Sequence, residues 1–208
     1  MEGEKKMAVL LPGGAGFIGS HTAVELLNAG KEIIILDNFS NSNPKVLDAI
    51  KKITGKDFKF YEMDYLNKQE LEKVFQENEI EAVMNFAGYK AVGESVQKPI
   101  EYYTNNISGA LVLLDVMRKY GCKKFIFSSS ATVYGEPEKI PLTEDCKTGG
   151  TTNPYGTTKL FIEQILKDIY TSDSTWDICI LRYFNPVGAH ESGLIGEEPQ
   201  GIPNNLMP

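Results

Sequence analysis

Gly13-Gly14-Ala15-Gly16-Phe17-Ile18-Gly19 stands directly after a short apolar run, Met7 to Leu11, and opens a helical pattern. Phe17, Ile18, Ala23, Val24, Leu26 and Leu27 recur at helical spacing, and Gly30 follows as a helix stop. Two glycine spacings overlap here, Gly14-x-Gly16-x-x-Gly19 and Gly13-x-x-Gly16-x-x-Gly19. In a strand-to-helix turn such glycines make the tight bend, let a backbone approach a pyrophosphate, and let the helix pack on the strand. The helix opening at Phe17 adds free N–H groups and a positive dipole end, both suited to phosphate. The next β-branched run, Glu32 to Leu36, ends at Asp37, 23 residues after Gly14. A carboxylate at that interval suits an adenosine ribose 2′-hydroxyl and repels a 2′-phosphate, which points to NAD over NADP. Pro12 fixes φ and removes one N–H at the lip of this loop.

Outward from the loop, strand-like and helix-like stretches alternate. Expected after the first unit are a weaker helix at Pro44–Lys52, a strand at Phe58–Met63, a helix at Asn67–Asn78 and a strand at Ala82–Phe86. A long helix over Ile100–Tyr120, a strand at Lys124–Ser128, a helix at Pro154–Tyr170 and a strand at Asp177–Arg182 complete the series. Strands apolar on both faces, separated by helices, predict the α/β class: a Rossmann-like doubly wound parallel sheet with helices on both faces. Residues 1–182 read as the NAD-binding domain. Residues 183–208 contain four Gly and four Pro, show no period, and read as the start of an incomplete substrate-binding region. Asp64, which ends the third strand, suits either the cap of the next helix or a contact to adenine.

The 208 residues carry a formal charge of −7, which argues against a nucleic-acid or anionic-membrane binder. No apolar stretch approaches the ~20 residues that span a bilayer, and the first residues lack a signal-peptide core. The three cysteines, Cys122, Cys146 and Cys179, fit neither a disulfide framework nor a zinc knuckle. These features predict a cytoplasmic protein. With His21 and His190 the only histidines, no histidine triad or multi-histidine metal site is expected.

Asn153-Pro154-Tyr155-Gly156-Thr157-Thr158-Lys159 has Asn at a helix N-cap and Pro at the first helical position. Tyr155 and Lys159, four residues apart, then share a face. An ammonium close to the phenol is expected to lower its pKa, as a general base working on a hydroxyl requires. Ser128-Ser129-Ser130-Ala131-Thr132 falls at the carboxyl end of the fifth strand, where open α/β sheets place their chemistry.

Together these motifs resemble the extended short-chain dehydrogenase/reductase superfamily, and within it the UDP-glucose (UDP-galactose) 4-epimerases. The resemblance runs from about Met7 to Pro208. Its most specific stretches include Lys90–Pro99, Phe127–Gly135, Asn153–Lys159 and Leu181–His190. It implies interconversion of UDP-galactose and UDP-glucose by reversible oxidation at sugar C4, in galactose metabolism. Tyr155 would act as base, Lys159 would hold the nicotinamide ribose, and Ser130 would share the hydroxyl hydrogen bond. Gly13, Gly16, Phe17, Ile18, Gly19, Asp37, Asn38, Asp64, Phe86, Ala87, Lys90, Asn105 and Tyr183 would line the NAD. Asn185 and Asn205 would contact the nucleotide-sugar.

The resemblance also implies a homodimer formed by the long helix after Pro99 and the one bearing Tyr155, with Leu111, Leu114, Phe161 and Ile165 available to it. The chain departs from the family pattern at Pro12, at Asn85 and at Thr157-Thr158. Chains of the family continue past the Asn-Asn-Leu-Met-Pro segment into a substrate domain, which is expected to be largely missing here. Two other readings are open: a non-catalytic NAD-binding isoform or fragment, and a nucleotide-sugar 4,6-dehydratase. The dehydratase needs an extra carboxylate where this chain has Ser130-Ala131-Thr132.

Overall fold

A computed structural model of the chain describes residues 7–198. Six strands form one parallel sheet: β1 (Ala8–Pro12), β2 (Glu32–Asp37), β3 (Lys59–Glu62), β4 (Ile80–Asn85), β5 (Lys124–Ser130) and β6 (Asp177–Tyr183). Their order is β3-β2-β1-β4-β5-β6. The winding therefore reverses between β1 and β4, and a crevice opens there at the carboxyl ends of the strands. Val9 pairs with Ile33 and Leu11 with Ile35, a register that stacks the aliphatic runs side by side. Every residue of β1 is buried, as are the last five of β2, because helices lie on both faces.

Helices α1 (Phe17–Asn28) and α2 (Lys45–Thr54) cover one face, where Ala23, Val24, Leu27 and Ile50 meet Val9, Leu11, Ile33 and Ile35. On the other face lie α3 (Lys68–Glu77), α6 (Gly109–Lys119) and α7 (Pro154–Ser172). They pack Leu71, Leu113, Ile162 and Leu166 onto Leu10, Ile34, Phe125 and Phe127. The first cover reaches only as far as β4: Ala82, Met84 and Phe86 join its cluster, while Cys179 and Leu181 of β6 stay exposed. Helix α1 stops at Gly30, whose φ of 77° lets Gly30 N reach Leu27 O and Lys31 N reach Leu26 O, each at 2.9 Å.

The structure departs from the sequence expectation in three places. The long helix expected over Ile100–Tyr120 is broken into α5 (Pro99–Tyr102), a π-helical turn (Tyr103–Ser108) and α6. A short helix, α4 (Val92–Gln97), precedes it in a stretch to which the periodicity assigns no element. Strand β5 runs on to Ser130, so Ser129 and Ser130 lie within the sheet, paired with Arg182 and Tyr183. A 3-10 turn, Ala131–Tyr134, follows. No described helix is long and apolar enough to cross a membrane.

Candidate functional site

The glycine loop owes its composition to two different demands. At Gly13, φ is 74°, and a Cβ would lie 2.5 Å from Ala87 N and 2.7 Å from Phe86 C. The loop is thus pressed against the backbone leaving β4. A Cβ at Gly19 would sit 2.4 Å from Gly13 O, so the second requirement is close packing of α1 on the loop. Gly16 differs from both. Its backbone is extended, with φ −76°, and an added Cβ would come no nearer than 3.3 Å to Gly13 O. The fold itself asks little of Gly16, yet it caps α1 with no side chain over the first turn. The N–H groups of Phe17, Ile18 and Gly19 have no partner within their helix. An uncovered cap beside open donors fits a pyrophosphate, and the loop therefore fits NAD.

Asp37 closes the other side of this cradle. It is buried, and its Oδ2 accepts from Ala15 N at 3.0 Å while Oδ1 accepts from Phe39 N at 2.9 Å and Ser42 Oγ at 2.8 Å. The carboxylate therefore ties the glycine loop to the end of β2. A carboxylate oxygen has more than one lone-pair direction, so Oδ2 can also take a ribose hydroxyl. Asn38 Nδ2 donates to Asp64 Oδ2 at 3.3 Å, which brings these two together at the carboxyl ends of β2 and β3. Asp64 Oδ1 holds Leu66 N at 2.9 Å, but the cap of α3 is Asn67, whose Oδ1 accepts from Glu70 N.

The helix start that carries Tyr155 and Lys159 lies across the crevice. Asn153 Oδ1 caps α7 by accepting from Gly156 N at 2.8 Å, and Pro154 takes the first helical position. Tyr155 is thereby fixed in the first turn, where the Ser130 hydroxyl acts on its phenol. Ser130 Oγ accepts from Thr132 N at 3.2 Å and from Thr132 Oγ1 at 3.0 Å, which leaves its own proton for the Tyr155 oxygen. Burial holds the Tyr155 phenol above its ordinary value, and the Ser130 hydrogen bond pulls it partly back. This differs from the expectation that Lys159 lowers the phenol. Lys159 Nζ lies 5.8 Å from the Tyr155 ring centre and donates at 2.8 Å to Ser128 O. Burial pushes its ammonium down to about 8.

The remaining expected residues sort by position. Phe86 and Ala87 leave β4 against Gly13, and Ala87 N is held by Asn85 Oδ1 at 3.1 Å. Asn105 lies in the π-helical turn, where its carbonyl accepts from Tyr65 Oη at 2.6 Å. Lys90 is drawn instead to Glu197, at 2.5 Å, in the loop that follows β6. Tyr183, at the end of β6, shares a groove with Phe17, Ile18, His21, Pro186 and Val187. His21 Nδ1 is 2.8 Å from Phe17 O, while its Nε2 is buried without a partner. Asn185 is exposed in the same loop. Asn205 and the Gly201–Pro208 segment lie outside the described residues.

Sequence reasoning overlooked four buried or bridging residues here. Asn106 clasps Tyr89 through both its N–H, at 2.8 Å, and its carbonyl, at 3.0 Å, and donates to Thr158 Oγ1 at 3.1 Å. Thr158 in turn donates to Tyr155 O at 2.7 Å. No pattern marks Asn106, because paired asparagines in a helical stretch read as a solvated face. Glu163 and Arg182 form the last pair, and here a signal existed. Tyr155, Lys159 and Glu163 follow one another at four-residue steps on one helix face.

Known proteins are similar to this chain in sequence and fold. The family model described as NAD dependent epimerase/dehydratase family matches residues 9–207. A Haemophilus influenzae protein named UDP-glucose 4-epimerase is 64% identical over 202 residues, covering 97% of this chain and 60% of its own length. A UDP-glucose 4-epimerase from Bifidobacterium longum, solved in complex with NAD+ and UDP, superposes with a TM-score of 0.94 at 60% identity. That match covers 96% of this chain and 60% of that one. A UDP-glucose-4-epimerase from Stenotrophomonas maltophila, solved with bound NAD and formylated UDP-arabinopyranose, has a TM-score of 0.93 at 46% identity. It is covered to 59% of its length by 96% of this chain. The chain thus spans about 60% of the length of the curated relatives it matches.

Proposed function

Because the chain belongs to the NAD dependent epimerase/dehydratase family, we propose that it binds NAD in the crevice and interconverts UDP-galactose and UDP-glucose at sugar C4, in galactose metabolism. The observation that carries this reading is the grouping of Tyr155, Ser130 and Lys159 across the crevice from the glycine loop. NAD, when bound, supplies reversible hydride acceptance at C4. The Tyr155 oxygen removes the proton of the 4-hydroxyl and later returns it. Ser130, its acceptor capacity engaged by Thr132, donates to the same oxygens and steadies the transfer. Lys159 Nζ, now held at Ser128 O, is the group that would hold the nicotinamide ribose. Between removal and return, the oxidised sugar presents its other face. Asn185 and Asn205 belong to the nucleotide-sugar side of this reading.

The same reading places the protein in the cytoplasm, in keeping with its three free cysteines. It also makes it a homodimer through α6 and α7. Leu111 and Phe161 are exposed at 46% and 49% and are available for that contact. Leu114, in contrast, is buried in the core, and Ile165 packs partly against it. Dehydration of the sugar is disfavoured by the absence of a carboxylate in Ser130-Ala131-Thr132. A second reading is an NAD-binding module without turnover.

Purified chain supplied with NAD and UDP-galactose is expected to form UDP-glucose. Tyr155→Phe should lower the rate by ~10²–10⁴-fold, the usual worth of a general base, while NAD binding by calorimetry persists. Full activity in Tyr155→Phe would overturn the assignment of the base. NAD binding without any UDP-sugar binding in the unaltered chain would select the second reading.

A further inference from the structure

One turn beyond Lys159, α7 carries a charged side chain that the reaction as described does not use. Glu163 is fully buried. Its Oε1 accepts from Ser129 Oγ at 2.6 Å and from Arg182 Nε at 3.0 Å, and its Oε2 accepts from Arg182 Nη2 at 2.7 Å. Arg182 Nη1 donates onward to Tyr134 Oη at 2.9 Å, with the guanidinium 4.9 Å above the Tyr134 ring. Four segments meet at this point: α7, β5, β6 and the 3-10 turn.

Each partner is a chain neighbour of a reacting group. Ser129 lies between Ser128, whose carbonyl holds Lys159, and Ser130, whose hydroxyl acts on the Tyr155 phenol. Arg182 directly precedes Tyr183. Tyr134 closes the turn whose Thr132 orients Ser130. Burying a carboxylate and a guanidinium gains little stability, since lost hydration offsets their attraction and an apolar pair of similar size does as well. A planar fork bound at both carboxylate oxygens does gain direction. Helix α7 is thus pinned to β5 twice in succession, by Lys159 at Ser128 and by Glu163 at Ser129.

We propose that Glu163, clamped by Arg182 and Ser129, is a positioning residue that sets the distance between Tyr155 on α7 and Ser130 on β5. The proposal rests on the reading of Tyr155 as the reacting base. Glu163 touches neither cofactor nor substrate. It acts through the helix and the strand. Loosening the clamp lets α7 shift along β5, and the Tyr155–Ser130 spacing widens first because it lies at the helix end.

The test replaces the pair by apolar side chains, Glu163→Met with Arg182→Met, and separately removes one donor with Ser129→Ala. Two readouts are needed. In ligand-free protein, tyrosinate absorbance is titrated against pH, and the curve of each protein is subtracted from that of its Tyr155→Phe counterpart to isolate Tyr155. With NAD and UDP-galactose present, kcat and KM are measured separately.

The double variant is expected to fold with near-normal thermal stability. Its Tyr155 titration should move upward, because Ser130 no longer supports the phenolate. Its kcat should fall by ~10²-fold, the cost of a misplacement of about 1 Å, with KM and NAD affinity little changed. Ser129→Ala, which keeps the ion pair, should shift both readouts the same way by less, and it decides the matter if the double variant does not fold. Unmoved Tyr155 titration and kcat in a folded variant overturn the proposal. If the unaltered chain shows no turnover, the functional reading fails while the ligand-free titration still tests the clamp.

Discussion

Lys159 is costly to the ligand-free fold. Its ammonium, pushed down to about 8 by burial, titrates well below an exposed lysine. Between about pH 8 and 10.4 the unfolded chain therefore holds more protons than the folded one, and stability rises with pH across that window. Below it the full penalty applies, about 3 kcal/mol for a shift of this size. Lys159→Met is accordingly expected to stabilise the ligand-free chain near neutral pH. Its advantage in urea midpoint should shrink toward about pH 10, as lysine in the unfolded chain loses its proton. A difference that stays constant over that range would show that burial of the charge is not the cause. Tyr155 and Lys159 themselves were readable from the chain, because Asn153 and Pro154 announce the helix start and the four-residue step from Tyr155 puts Lys159 on the same face. That burial, and not the ammonium, governs the phenol was not readable. It depends on Nζ turning toward Ser128 O, a contact 31 residues away.

At the level of elements, the break between α5 and α6 shows where periodicity loses its power. Apolar residues on both sides of Thr104-Asn105-Asn106 keep a helical spacing, so one helix is expected, and an extra residue in a single turn leaves no trace in that pattern. What creates the π-helical turn is tertiary. Tyr65 inserts its ring against Gly109 and donates to Asn105 O at 2.6 Å, and Asn106 is pulled toward Tyr89 and Thr158. A Cβ at Gly109 would meet the Tyr65 ring at 2.2 Å. Gly109→Ala should therefore destabilise the chain by about 2 kcal/mol in denaturant unfolding, overpacking outweighing the ~1 kcal/mol of helix propensity that alanine brings. A stabilised variant would mean that Tyr65 moves aside freely. The short helix α4 escaped notice for a related reason, since only Ser95 of its six residues is buried.

Over the whole molecule, exposed apolar side chains are unevenly placed. Ile100, Leu111 and Phe161, on α5, α6 and α7, are exposed at 76%, 46% and 49%. If they form the contact proposed for a homodimer, Leu111→Glu with Phe161→Glu should convert a dimer into a monomer in sedimentation, leaving the circular dichroism spectrum intact. A monomeric unaltered chain would sink that part of the reading.

Sheet class, glycine loop, Asp37 and the reacting helix all follow from local patterns, because turn chemistry, capping and periodicity act over a few residues. The sequence alone therefore determined a parallel α/β fold and placed Tyr155 and Lys159 on one face of the helix that Asn153 caps. Tertiary structure alone decided that helices cover one face only as far as β4, that Lys90 meets Glu197, and that Glu163 is bound to Arg182 and Ser129. Those outcomes join residues from 19 to 107 positions apart. Across such separations only the packing of completed elements brings side chains within reach, and no local preference records it.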